Sequence, residues 1–207
     1  MLTRIESLLE DKQLDATNWE RGFLQSISDQ VDKGRTLSGS QIGILERIED
    51  KNNLASRSKL RDWTERWESE YASIARVVAQ YYLTSTLYFS SQAEKVIAGG
   101  VLHPREYKKM CENKYAERVI EEHFKKPRFS VGSFVQVRKS PSINKHYLAE
   151  NGSHTRLNNM HAVVLEVDAL PVRRAAKGAK VYKVLPVGAP RAYYVSESDL
   201  KAAKKRK

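Results

Sequence analysis

The chain has 207 residues, of which 41% are hydrophobic and 29% charged, with one cysteine, Cys111, and a formal net charge of +11. That balance excludes wholesale disorder, the single cysteine excludes an intrachain disulfide, and no run of eighteen or more apolar residues offers a membrane-spanning helix. The first 126 residues hold 20 Lys and Arg against 20 Asp and Glu, so the last 81 hold 16 against 5 and carry the whole excess. A division of this kind points the basic part toward a polyanion, with a solubility tail and scattered lysines as the plainer alternative.

Taken in chain order, the opening Met1–Asp15 has acids throughout and no long apolar core, unlike a secretory signal. With one cysteine, a reducing cytoplasm is the expected compartment. Thr17 followed by Glu20 is a capping box, and Trp19, Phe23, Leu24, Ile27 and Val31 recur at helical spacing before Gly34. Ser38 and Gln41 form a second box, with Ile42, Leu45 and Ile48 behind it. The two helices read as a hairpin near 17–50. A shift of 65 residues finds the pattern again near 85–112: Val31 falls on Val96, Gly34 on Gly99, Leu37 on Leu102 and Leu45 on Met110. Pro104 stands at an expected first helical position. The skeleton helix, Gly-x-x-Leu, helix suggests a duplicated unit, although hairpins share this grammar by chance as well. Between the copies, Leu60, Trp63, Trp67, Tyr71, Ile74, Val78 and Tyr81 keep helical spacing for about seven turns. Such a stripe is core or a docking face for a protein. A last helix carries Tyr115, Val119, Ile120 and Phe124.

Pro127 ends the helical part. "FSVGSFVQVR" then alternates apolar and polar, and "HAVVLEVDAL", "AKVYKVLPVG" and "RAYYVSESDL" follow as further strands. Four short strands in about eighty residues, without a crossover helix, imply an antiparallel sheet curled on itself. The expectation is an α+β protein in two domains, helical over 1–126 and basic over 127–207, with a long surface loop over Arg138–Met160 and a disordered basic tail.

Phe129–Arg138, read as F-x-V-G-x-x-V-x-V-R, resembles the first strand and turn of SH3-like small β-barrels of the KOW and Tudor kind. "YYVSESDLK" is similar to their closing strand and short 3₁₀ turn. The resemblance implies a turn at Val131-Gly132 and inward valines, over about residues 128–201; the long insert departs from it. In the helical part, "FLQSISDQVDKGRTLSGSQIGIL", Phe23–Leu45, resembles segments of phage helicase and replication proteins, which implies a setting rather than an activity.

Cations cluster between the strands: Lys139, Lys145 and Arg156 in the long loop, Arg173, Arg174, Lys177 and Lys180 in "VRRAAKGAK", Lys183 and Arg191 beside the next turn, and Lys204, Lys205, Arg206 and Lys207 at the end. Several cations on flexible stems are what phosphate binding by counterion release requires. Tyr147, Tyr182, Tyr193 and Tyr194 either stack on bases or pack in the sheet core. No base-reading pattern is present, so weak sequence preference is expected.

Catalytic signatures are missing. There is no phosphate-cradling Gly-x-x-x-x-Gly-Lys-Ser/Thr loop, no carboxylate pair stands out, and His146, His154 and His161 lack the spacing of a metal site. Cys111 has Lys108, Lys109 and Lys114 near in sequence, which lower a thiol pKa, but it also lies on an apolar helix face. No catalytic residue, metal or cofactor is expected, and no membrane. The expectation is a non-catalytic protein that binds nucleic acid, DNA ahead of RNA, in DNA replication, recombination or repair, encoded by a phage and working in the host cytoplasm. Its helical domain would contact a replication or recombination protein. The alternative is a phage virion or assembly protein whose barrel makes subunit contacts.

Overall fold

The computed structural model describes residues 1–85, 88–139, 146–152 and 157–203. Residues 86–87, 140–145, 153–156 and 204–207 lie outside them, and with them Lys145, His154, Arg156, Lys204, Lys205, Arg206 and Lys207. Two compact units divide between Arg66 and Trp67. The expected boundary at 126/127 is where helix gives way to sheet, inside the second unit.

The first unit holds α1 (Leu2–Glu10), α2 (Asn18–Asp32), α3 (Gly39–Asn52) and α4 (Leu54–Arg66). Ile5, Leu14, Leu24, Ile27, Leu45 and Ile48 make its core. Helix α1 was not among the expected elements; its stripe of Ile5, Leu8 and Leu9 is too short to stand out without a cap, and it is held by that core. Trp19, expected on the apolar face, is 63% exposed and stacks on Phe23 at 5.5 Å. Both capping boxes form as the sequence predicts.

The second unit opens on a π-helical turn, Trp67–Tyr71, leading into α5 (Ala72–Ser85), α6 (Ser90–Ile97), α7 (Pro104–Cys111) and α8 (Lys114–Phe124). A π turn adds a residue and rotates the face that follows. The aromatic stripe read through this region is therefore broken. Trp67 and Tyr71 pack on Tyr107, at 6.0 and 5.3 Å, while the buried face of α5 moves to Ala72, Ala75, Val78, Ala79 and Tyr82 with Tyr81.

The two helical hinges carry the same hydrogen bonds 65 residues apart. Gly34 N donates to Val31 O and Arg35 N to Gln30 O; Gly99 N donates to Val96 O and Gly100 N to Lys95 O. Both glycines have positive φ, 70° and 83°, and each is the left-handed stop of the preceding helix. Ser38 and His103, again 65 apart, both open a capping box for the next helix. The equivalence is less complete at the leucines, since Leu102 is fully buried and Leu37 half-buried.

Five antiparallel strands follow, β1 (Phe134–Val137), β2 (His161–Val167), β3 (Val181–Pro186), β4 (Tyr193–Ser196) and β5 (Leu200–Ala202), in the order β4-β3-β2-β1-β5. The sheet is open, with β4 and β5 at opposite edges. This corrects the expected four-stranded sheet curled on itself: a 3₁₀ turn at Glu197–Asp199 splits the last segment into two strands, and β5 pairs with β1. The first strand also starts later than its alternation suggests. Val131 and Gly132 form a turn, with Gly132 at φ 82° and its N–H donated to Val164 O. Inward residues Val135, Val137, Ala162, Val164, Val184, Val195 and Leu200 are fully buried with Tyr182 and Phe129, and each large aliphatic among them contributes roughly 1.5–3 kcal/mol. A one-turn helix, α9 (Leu148–Asn151), lies in the insert.

The join between helices and sheet is polar. Glu122, near the end of α8, is 3% exposed and its Oε2 accepts from Gly178 N at 2.9 Å and Ala179 N at 3.2 Å. Lys180 Nζ donates to His123 O at 2.9 Å. Glu197, also buried, accepts from Arg128 N and from Tyr182 Oη, and Lys125 lies 3.4 Å from Glu122 and 3.8 Å from Glu197.

Two stability predictions follow from this geometry. Gly34→Val lowers the stability of the first unit by about 1 kcal/mol or more, because a β-branched residue resists positive φ, whereas Gly43→Ala, in the open interior of α3, raises it by up to ~1 kcal/mol; urea unfolding measures both. Glu122→Leu leaves two amides without their acceptor and costs the second unit roughly 1–3 kcal/mol, read as an earlier thermal transition for that unit alone.

Candidate nucleic-acid interface

The strand register sets one face of the sheet apart. Lys201, Gln136 and His161 stand opposite one another on β5, β1 and β2; Phe134, Val163 and Leu185 on β1, β2 and β3; Glu166, Lys183 and Tyr194 on β2, β3 and β4. Residues directly opposite share a face, and these alternate with the buried Val135, Ala162, Val164, Val184 and Val195. The face therefore points away from the core. A bulge between Val164 and Glu166 shifts the phase by one residue, so that Glu166 rather than Leu165 faces Lys183.

Two features of this face are unusual for exposed surface. Phe134 is 53% exposed and its ring lies parallel to that of His161, with centroids 5.5 Å apart and 3° between planes. One row further along the face, beyond Val163 and Leu185 and opposite Glu166, Lys183 Nζ sits 5.9 Å from the ring centre of Tyr194. Exposed rings of this kind offer faces for base stacking, and the lysines elsewhere on the same face are the groups that meet phosphates in such surfaces.

The expected binding residues divide into three groups. Lys139, Lys177 and Arg191 are exposed and Lys183 half-exposed. Arg191 donates to Asn151 O and lies over the Tyr193 ring at 5.1 Å. Lys177 borders an open depression of about 390 Å³ together with Lys125, Arg128 and Glu197. A second group turns inward. Lys180 has a 2% exposed side chain and pairs with Asp168. Arg173 pairs with Glu150, donates to His146 O and lies over Tyr147, and Arg174 donates to Ser198 Oγ at 2.9 Å. Tyr193 packs against the sheet core and Tyr194 faces outward. Tyr147 and Tyr182 are both buried, with hydrogen bonds to Ser196 and Glu197. The third group, Lys145, Arg156 and Lys204–Lys207, lies outside the described residues.

The sequence reading missed Phe134 and His161. Their signal was present, because in "FVQV" the phenylalanine falls on the opposite phase from the two core valines and so faces outward.

All five acids of residues 127–207 are described, and four are withdrawn from the surface field. Glu197 and Asp199 are buried, Glu150 pairs with Arg173 and Asp168 with Lys180. Glu166 alone is exposed without an ion pair among the described residues. The basic excess is thus more one-sided at the surface than in the composition.

Part of the expected surface loop is anchored. Asn151, fully buried, donates its Nδ2 to Tyr194 O at 2.7 Å and accepts from Tyr194 N at 2.8 Å, supplying on the edge of β4 the bonds a further strand would. Elsewhere in the unit, burial pushes the Cys111 thiol up to about 12, opposite to the lowering that its neighbouring lysines suggested; they point to solvent and the thiol does not. Among the described residues no three His, Cys, Asp or Glu side chains gather into a metal-holding group, and no helix is long and apolar enough to cross a membrane. No protein-family model matches the chain, and no curated protein matches it.

The Arg173 guanidinium holds the Glu150 carboxyl below the usual carboxylate range. A depressed acid stabilises the fold above its unfolded value, about 4.3, and that contribution disappears as pH falls through the lower folded value. Acidification below about pH 4 is therefore expected to loosen residues 146–152, seen as faster hydrogen exchange at the Asn151 amide. Glu150→Gln should remove that pH step.

Proposed function

We propose that the chain is a non-catalytic nucleic-acid-binding protein that holds single-stranded DNA against the outer face of its five-stranded sheet. The observation that carries this reading is the exposed, parallel Phe134–His161 ring pair on a face that also bears Lys183, Lys201 and Tyr194, in a segment whose acids, Glu166 on this face excepted, are buried or paired with a cation. Bases stack on the rings and phosphates meet the lysines, so binding is sequence-tolerant and salt-sensitive. Duplex DNA keeps its bases stacked on each other and offers nothing to such a platform.

We read the sheet as an opened relative of the SH3-like small barrel. The turn at Val131-Gly132, the antiparallel order and the 3₁₀ turn before the last strand support that reading. The hairpin of the first unit, similar over Phe23–Leu45 to segments of phage helicase and replication proteins, is proposed to contact a partner in DNA replication, recombination or repair. A second reading, subunit contact in an assembly, draws on exposed Val131, Leu165, Leu185 and Val187; contiguous apolar surface marks protein interfaces as well.

Fluorescence anisotropy with the full chain and labelled single-stranded DNA, duplex DNA and RNA tests the proposal. Single-stranded DNA is expected to bind tightest. With about four to five phosphates neutralised, log affinity falls against log salt with a slope near −3. Phe134→Ala should cost roughly 1–3 kcal/mol of binding with the melting temperature unchanged, and Lys183→Ala should reduce the slope by about 0.7. No salt-dependent binding to any of the three, together with concentration-dependent association that Leu185→Asp abolishes, would replace this reading with the assembly one.

A further inference from the structure

A second candidate site lies among the helices of the second unit. Tyr81, Tyr82, Tyr88, Phe89 and Tyr115 surround a pocket of about 420 Å³, near the small end of the range for ligand pockets. Successive rings lean on one another, with centroids 5.0 Å apart for Tyr81–Tyr82, 5.1 Å for Tyr82–Phe89 and 4.9 Å for Tyr88–Phe89.

Two polar residues also line it, and they differ. Asn113 is engaged: it accepts from Tyr115 N and Ala116 N as the cap of α8 and donates to Tyr82 Oη at 3.0 Å. Lys109 is exposed and has no ion pair among the described residues. Lys109 also borders an adjoining hollow of about 220 Å³ with Phe89, Gln92, Arg105 and Glu106. Arg105 and Lys109 are one turn apart on α7, so both cations lie on the same stripe of the helix. The Glu106 carboxylate is occupied by His103 N at 2.9 Å and lies 3.9 Å from Lys95 Nζ, which leaves the two cations the better placed to meet an anion.

Phe89 borders both hollows. Its backbone is left-handed, φ 55° and ψ 28°, a conformation that a bulky residue adopts at a cost and that concentrates at functional sites.

We propose that this is a binding site for a mononucleotide, its base in the aromatic pocket and its phosphate on Arg105 and Lys109. Cations at the mouth disfavour a quaternary ammonium, which aromatic pockets otherwise suit. Lys109 lines the aromatic pocket and the adjoining hollow alike, and Arg105 only the hollow, so a ligand that meets both cations with its ring in the pocket carries its anion on a spacer, as a nucleotide carries its phosphate on a sugar. The volume holds one such unit rather than two. The site uses none of the residues of the sheet face.

Isothermal titration and saturation-transfer NMR on the full chain, with dAMP, adenosine and ribose 5-phosphate, test it. The expected result is dAMP binding roughly tenfold tighter than either fragment, with saturation transferred to the base protons. Lys109→Ala, at an exposed position, should remove the advantage of dAMP over adenosine. Tyr115→Ala should weaken dAMP about tenfold, and Phe134→Ala on the sheet should leave it unchanged. A 5′-phosphorylated tetranucleotide titrated alongside separates a strand terminus from a free nucleotide, and tighter binding of either that Lys109→Ala weakens supports the site. Absence of nucleotide binding, equal affinity for dAMP and ribose 5-phosphate, or dAMP binding that survives both pocket variants or is lost in Phe134→Ala would overturn it. Failure of the sheet proposal alone, with Lys109-dependent dAMP binding retained, leaves this site standing.

Discussion

The second unit depends on one buried carboxylate. Glu122 is removed from water and must be compensated; the compensation comes from the amides of Gly178 and Ala179 at the approach to β3. Gly178 is itself constrained, with φ +72° and a Cβ position 3.0 Å from the Ser198 backbone, so that only glycine brings these amides to the acid. The end of α8, the entry to β3 and the turn holding Ser198 are thereby tied to a single point. Lys180, reaching back to His123 O, and Lys125, between Glu122 and Glu197, extend the same constraint to the chain leaving the helix. A charge of this kind is weak evidence for added stability, since desolvation offsets much of its attraction. Its effect is geometric, because few arrangements satisfy it.

That arrangement has an electrostatic consequence. Satisfying buried amides and hydroxyls draws Glu197 inward, and clamping the insert occupies Glu150. Some cations go with them, Lys180 and Arg173 above all. The withdrawal is uneven, because acids are scarce in this segment and cations plentiful. What remains outside is almost entirely positive, next to a sheet face with exposed rings. Such a surface attracts polyanions over a range set by salt.

The open sheet leaves β4 as an edge, and the insert covers it. Asn151 mimics a strand with its side-chain amide, Tyr147 is buried against Ser196, and Arg173 holds α9 through Glu150 and His146 O. The segment around α9 therefore blunts an edge that would otherwise pair with another chain. In the helical parts, the repeated hinge solves a local problem twice. A left-handed glycine ends one helix and a capping box starts the next four residues on, independently of what each hairpin packs against.

Local rules decided what could be read from the residues alone. Thr17 with Glu20, Ser38 with Gln41, Gly34 and Gly99 act within a few residues of themselves, so the caps, stops and 65-residue correspondence were legible before any packing was known. Alternation in β1–β4 and the charge division were legible for the same reason. Phase was legible too in "FVQV", although Phe134 counts as exposed only once its neighbours are seen to form a sheet with one buried face. The rest required the tertiary structure. Nothing near Trp67 in sequence announces a π turn, which is selected by packing on Tyr107. The division at Arg66 and Trp67 depends on contacts between distant segments. Lys180 and Lys183 look alike in the sequence, yet one meets Asp168 and a helix carbonyl inside while the other borders Tyr194 outside. A cation's role is set by the partners brought to it from 12 to 57 residues away, and only the folded chain brings them there.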